Sequence, residues 1–343
     1  MYQNKANRRG ESPISVIGAG IAGAWQALLF AQAGHAVTLH ERSGPAMTQS
    51  TSYWAGGMLA PYCEAEVAEP VIVRLGLRSL GLWREHFPQT PFNGSLVVAH
   101  ARDRADFERF ARLTSGYRRL DAEGLREIEP SLEGRFREGL FYADEGHVEP
   151  RRVLPELHAH IAAAGGEIRF NSQARPEDID GIVIDCRGLA ARDTQKELRG
   201  VKGEIILIET DEVELSRPVR LIHPRWPLYV IPRGAGRFML GATSIEGEDI
   251  KGEDIGVSVR SALELLGAAY AVHPAFAEAR IVEFGSGLRP AYPDNLPRIS
   301  VNDDHIAVNG LYRHGFLLAP ALAELTLGYV ERGVIDNEVM QCA

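Results

Sequence analysis

"ISVIGAGIAGAWQALLFAQAGHAVTLHE", residues 14 to 41, changes its apolar period twice within 28 residues. Ile14, Val16 and Ile17 predict a short buried strand; Gly18, Gly20 and Gly23 predict a turn; Ala24 to Ala33 predicts a helix closed by Gly34; and Ala36 to His40 predicts a second strand. Each glycine has its own task in such a turn: Gly18 tightens it, Gly20 lets backbone approach a pyrophosphate, and Gly23 packs helix on strand. The helix N-terminus then offers free N–H groups and a positive dipole end to phosphates. Glu41 ends the second strand 21 residues after Gly20, where a carboxylate can accept hydrogen bonds from both ribose hydroxyls. The combination predicts a dinucleotide site, against the alternative of a glycine-rich turn in an unrelated α/β fold.

The composition frames what such a site serves. With 343 residues, 45% hydrophobic and 24% charged, the chain suits a soluble globular protein of two domains, or one large domain with an insert. A net charge of -9 gives no electrostatic reason to expect nucleic acid or an anionic membrane as partner, so small molecules are the default. Cys63, Cys186 and Cys342 are too scattered for a zinc site or a disulfide framework, and no metal is expected. The basic start "MYQNKANRRGESP" precedes an apolar segment broken by glycines, without a signal-peptide cleavage pattern. No window has the uninterrupted apolar length of a membrane span. A cytoplasmic protein is the expectation, and a homo-oligomer is compatible with it.

NAD and FAD share the glycine fingerprint. FAD is favoured because nucleotide-like segments recur far downstream, as they do when a flavin domain is interrupted and then completed. "IVIDCRGLAA" at 182 to 191 reads as a buried strand and a glycine turn. "HIAVNGLYRHGFLLAPALAELTLGYVERG" from 305 to 333 reads as a strand, a turn and a helix from about Phe316 to Glu331, with Pro320 in or near its first turn and Gly333 after its end. "GLRPAYPDNLP" at 287 to 297, rich in Pro and Gly, reads as a rigid loop holding Arg289.

With these segments go "STSYWAGGMLAPYCEAE" at 50 to 66, "GHVEPRR" at 146 to 152, "YVIPR" at 229 to 233, "GAT" at 241 to 243 and "LYRHGFLLAP" at 311 to 320. Together with "GLRP" at 287 to 290 they resemble, over nearly the whole chain, the flavin-dependent oxidases of the D-amino-acid oxidase and glycine oxidase group. The resemblance is strongest to the glycine oxidases of thiamine biosynthesis. It implies that Gly18, Gly20, Ile21, Ala22, Gly23, Glu41, Arg42, Thr51, Ser52, Gly56, Gly57, Met58 and Ala174 contact FAD. It implies the same for Arg313, His314, Gly315, Phe316 and Leu317. Arg289 is implied to bind the substrate carboxylate, with Tyr229 sharing that task and Arg313 beside both flavin and substrate. The segment after Ala174 is shorter than in longer members, and Tyr53 and Trp54 replace small residues, which puts the pocket size and the adenine-side surface in question.

The implied chemistry is oxidative deamination of glycine, in which a hydride passes from the α-carbon to flavin N5 and O₂ is reduced to H₂O₂. The imine would supply the thiamine thiazole; sarcosine and D-alanine are further candidate substrates. An arginine suits the clamp because its planar fork grips a carboxylate through two parallel hydrogen bonds. No histidine shows the pattern of a general base, and no catalytic side chain is assigned. The stretch from 309 to 320 has no cysteine, so noncovalent FAD is expected. The implied fold is a doubly wound, Rossmann-like FAD domain (residues 1-80, 145-205 and 290-343) with a mostly antiparallel substrate domain (81-144 and 206-289). Rival readings are a sarcosine or D-amino-acid oxidase or dehydrogenase, a tRNA-modifying oxidoreductase module, and a flavin-free binding protein of the same fold.

Overall fold

A computed structural model describes residues 12–223, 227–246 and 256–342. The basic start of the chain therefore lies almost wholly outside the described residues. Two large sheets organise the rest. The first has seven strands in the order Met340–Cys342, Arg298–Asn302, His305–Asn309, Ile182–Asp185, Ile14–Ile17, Val37–His40 and Glu167–Arg169. All neighbours run parallel except the hairpin of Arg298–Asn302 with His305–Asn309. Strands buried on both faces need continuous apolar runs, and Ile182–Asp185 is buried throughout. Helices Ile21–Gln32, Pro70–His86, Pro150–Ala163 and Gly315–Arg332 close one apolar core with this sheet, centred on Trp25, Leu28, Trp83, Leu157 and Leu318.

The second sheet has eight strands in the order Arg280–Ala291, Arg199–Glu209, Arg237–Gly241, Leu228–Pro232, Val219–Ile222, Ser95–Ala99, Glu138–Tyr142 and Arg118–Asp121. It is antiparallel apart from the pair Val219–Ile222 with Ser95–Ala99. The period of two sorts its side chains. Ile206, Ile208, Leu228, Val230, Phe238 and Leu240 pack under helix Val259–Val272. Ile205, Tyr229, Ile231 and Met239 point the other way and gather Trp54 and Met58. Met58–Leu59 pairs with Gly146–His147 in a small ribbon of its own, which places His147 opposite Met58.

Arg289 is not in a loop. The strand Arg280–Ala291 runs through it and pairs Val201 with Arg289 and Gly200 with Pro290; the turn begins only after Ala291. Position explains the difference: this strand is at the edge of its sheet, where a proline costs no ladder bond. Pro320 lies just past the first turn of helix Gly315–Arg332. The Phe316 carbonyl, which the missing Pro320 N–H would have served, accepts the Trp83 indole N–H at 3.0 Å. The next amide, Ala321 N–H, donates to Ser79 Oγ at 3.1 Å.

Candidate active site

Gly18 follows the first strand at φ +96°, a conformation that side chains resist, and Gly20 caps the helix Ile21–Gln32. A Cβ on Gly23 would fall 1.9 Å from the Gly18 carbonyl oxygen, so only glycine lets the helix start this close to its strand. The Glu41 carboxylate lies across the turn: one oxygen accepts Ala19 N–H at 2.9 Å, the other accepts Ser43 N–H and Oγ–H at 2.8 and 2.7 Å. Carboxylate oxygens have further lone pairs, so Glu41 can still accept from hydroxyl groups. One helix-terminal amide is not free as expected, because Ile21 N–H donates to Ser52 Oγ at 3.0 Å. Arg42 is exposed, and Ala174 lies in the coil two residues beyond Ser172, whose N–H donates to the Glu41 carbonyl.

That Ser52 contact starts a chain of bonds linking the nucleotide helix to Arg289. Thr51, beside Ser52 in the 3-10 turn Thr51–Trp54, donates its hydroxyl to the Leu288 carbonyl at 2.7 Å. Leu288 precedes Arg289. Two glycines make room here: a Cβ on Gly285 would strike the Trp54 ring at 2.1 Å, and one on Gly203 would strike the Arg289 guanidinium at 2.3 Å. Arg289 thus lies across its neighbouring strand and donates from Nη1 to the Thr243 carbonyl at 3.0 Å. Among the described residues no carboxylate comes within ion-pair distance of it. Burial, the largest effect, draws its pKa down to about 10, which still leaves it charged near neutrality.

The other cations of this region are engaged. Arg313 Nη2 contacts Glu64 Oε2 at 2.7 Å, and His314 Nδ1 lies 3.5 Å from the same oxygen. Burial works against the Glu64 charge, but Arg313, His314 and Arg220 outweigh it and hold the carboxyl below its ordinary pKa. His314 is buried and pushed down to about 4 by that burial, despite Glu64, so it is neutral at physiological pH. Arg220 contacts Glu66 at 2.6 Å and stacks over the rings of Phe110 and Tyr229. Tyr229 pairs with Arg220 across the strands, and burial drives its pKa upward, so it keeps its hydroxyl proton.

Gly56, Gly57 and Met58 run past this cluster. Arg233 holds the turn from the sheet side, donating to the Gly56 carbonyl at 2.7 Å and the Val148 carbonyl at 3.1 Å. Met58 and Trp54 line the face that carries Tyr229, and the Arg151 guanidinium lies over the rings of both Tyr53 and Trp54. Gly315, Phe316 and Leu317 open the last helix, where a Cβ on Gly315 would meet Ile21 at 3.3 Å. Glu64, Glu66, Arg220 and Arg233 were missed from the sequence. An arginine in the apolar strand "VRLI" demands a counter-charge, and two acids in "YCEAE" beside the glycine turn could have supplied the pairing.

The family described as FAD dependent oxidoreductase (DAO) matches residues 14–327. The chain belongs to this family. FAD is accordingly the cofactor of this oxidoreductase of the D-amino-acid oxidase and glycine oxidase type, and the cradle at Gly18 to Gly23 with Glu41 across it fits such a group. The chain is 48% identical over 326 residues to a protein of Rhizobium etli provisionally named thiamine biosynthesis oxidoreductase ThiO, covering 95% of this chain and 97% of that one. It is 26% identical to the glycine oxidase of Bacillus licheniformis, covering 94% of each chain. The crystal structure of glycine oxidase from Geobacillus kaustophilus superposes with a TM-score of 0.78 at 23% identity, covering 94% of this chain and 95% of that one, which shows a shared fold. Among the described residues no helix is long and apolar enough to cross a membrane, and no group of three or more His, Cys, Asp or Glu could hold a metal.

Proposed function

We propose that this FAD-dependent oxidoreductase oxidises the carbon–nitrogen bond of glycine, and of sarcosine and D-alanine, to the imine, and that the glycine imine supplies the thiazole of thiamine in the cytoplasm. The observation that carries the reading is Arg289: a mostly buried guanidinium that among the described residues has only a backbone partner, tied through Leu288, Thr51 and Ser52 to the start of the nucleotide helix. The relatives' names supply the substrate and the pathway. In this reading the seven-stranded sheet and its helices hold the flavin, noncovalently, and the eight-stranded sheet holds the substrate. The division then follows the sheets, with Arg199–Glu209 and Arg280–Ala291 on the substrate side.

Bound FAD supplies the electron-accepting chemistry. The chain's own residues bind and aim. Arg289 takes the substrate carboxylate through its two-pronged face, fixing direction as well as place. The Tyr229 hydroxyl, protonated in its buried setting, donates a further bond to the same carboxylate. Trp54 and Met58 crowd side chains larger than a methyl group. Gly18, Gly20 and the first turn of the helix receive the pyrophosphate, Glu41 the ribose, and Gly56 to Met58 and the start of the last helix the flavin ring. Arg42 and Ala174 are assigned to the adenine side.

H₂O₂ release should be measured with glycine, sarcosine, D-alanine, D-proline and the L-enantiomers. Turnover of glycine, sarcosine and D-alanine is expected, since an apolar wall separates substrates differing by a methyl group by only about 1 to 3 kcal/mol. L-alanine should fail, because with the carboxylate clamped and the α-hydrogen aimed at the flavin its methyl group occupies the place of the amine. Activity confined to L-substrates would sink the proposal. A deletion strain that needs neither thiamine nor thiazole, and has no second source of the imine, would remove the pathway while leaving the oxidase.

A further inference from the structure

Three arginines and two glutamates share the face around Arg289, and their pairing is uneven. Among the described residues Arg220 meets Glu66 at 2.6 Å, a carboxylate that Arg109 also reaches at 3.2 Å, and Arg313 meets Glu64 at 2.7 Å, whereas Arg289 meets only the Thr243 carbonyl. The residues next to these groups are also joined, because Ser244 Oγ lies 3.0 Å from the Tyr312 hydroxyl, which brings the segment carrying Thr243 to the segment carrying Arg313. Arg313 and Glu64 both act electrostatically on Arg289, and both act on Tyr229. Among the described residues Arg289 is therefore the one of these three arginines that no protein carboxylate grips, whereas Arg313 already grips one.

We infer that Glu64 is a specificity-determining residue: by occupying Arg313 it limits the site to ligands with one carboxylate and rejects those that bring a second. A monocarboxylate gives Arg289 the counter-charge that it lacks among the described residues. A dicarboxylate must either set its second anion beside Glu64, where like charges repel, or displace Glu64 from Arg313 and leave that mostly buried carboxylate without its cation. The inference rests on the proposed placement of the substrate carboxylate at Arg289.

The FAD-loaded protein can be titrated at a pH of about 8, where both acids of a dicarboxylate are ionised, with acetate, malonate, succinate and glutarate, following the flavin absorbance. Acetate should bind about tenfold or more tightly than each dicarboxylate. In Glu64→Gln the ratio should move by about tenfold in favour of at least one dicarboxylate, and Arg313→Met added to that variant should abolish the gain. A dicarboxylate that binds wild-type protein as tightly as acetate overturns the inference, as does an unchanged ratio in Glu64→Gln. Should Glu64→Gln fail to retain FAD, the wild-type series decides alone. Failure of acetate itself to bind would remove the Arg289 assignment together with the inference, whereas equal binding of acetate and dicarboxylates removes only the role of Glu64.

Discussion

Glu145 is fully buried, and among the described residues no cation lies within ion-pair distance of it. It accepts Cys63 N–H at 2.9 Å, lies 3.2 Å from the Cys63 thiol and contacts the Ser95 hydroxyl, and so anchors the short helix Pro61–Glu64 that carries Glu64. Burial pushes its pKa up to about 7. The folded protein thus keeps this proton over a range in which the unfolded chain releases it. Stability from this group falls as pH rises from the ordinary carboxylate range to about 7, and the whole penalty, on the order of 3 kcal/mol, is present above that. Glu145→Gln keeps an acceptor for Cys63 N–H and adds a donor for Ser95. Its melting temperature should exceed that of the wild type at a pH of about 8 and approach it at a pH of about 4. A difference that does not change with pH would show that Glu145 is ionised in the folded state. Nothing in the sequence "ADEGH" separates Glu145 from an ordinary turn acid, because its burial comes from residues distant in the chain.

At the scale of elements, the sequence was most informative where spacing fixes geometry within one strand–turn–helix unit. Ile14–Ile17, Ile21–Gln32 and Val37–His40 stand close to where the periodicity puts them. The edge strand through Arg289 was illegible, since Pro and Gly carry the same local signal in a loop and at a sheet edge. The helix Gly315–Arg332 was legible, but the support for its proline was not. Trp83 supplies that support from another helix, which gives a test. Trp83→Phe leaves the buried Phe316 carbonyl without a donor and should cost about 1 to 3 kcal/mol beyond the lost ring area in a urea melt. Trp25 is as deeply buried, yet among the described residues its indole N–H has no partner, so Trp25→Phe should cost less. Equal costs would mean that the Trp83 bond contributes nothing.

Across the whole molecule, the site exists because two sheets of different character meet, one largely parallel and one largely antiparallel. Short motifs made the proposed cofactor side readable, since a glycine turn and an acid 21 residues later are local. The proposed substrate side draws on Glu64, Arg220, Tyr229, Arg289 and Arg313, which come together only after the strands are in register. If the glycine turn cradles FAD as described, Gly20→Val should yield colourless protein, because its side chain would crowd Ser52 and block the approach of a pyrophosphate; retention of a full flavin spectrum would remove that role. Among the described residues Arg289 has no carboxylate partner, unlike Arg220 and Arg313, and in the proposed function it receives the substrate carboxylate. Steady-state kinetics of Arg289→Ala with glycine test this most directly, with FAD content measured on the same preparation. Full flavin occupancy is expected with a fall in kcat/KM on the order of a hundredfold or more, and Arg289→Lys should recover only part of it. Near-normal kcat/KM in flavin-replete Arg289→Ala would contradict that role.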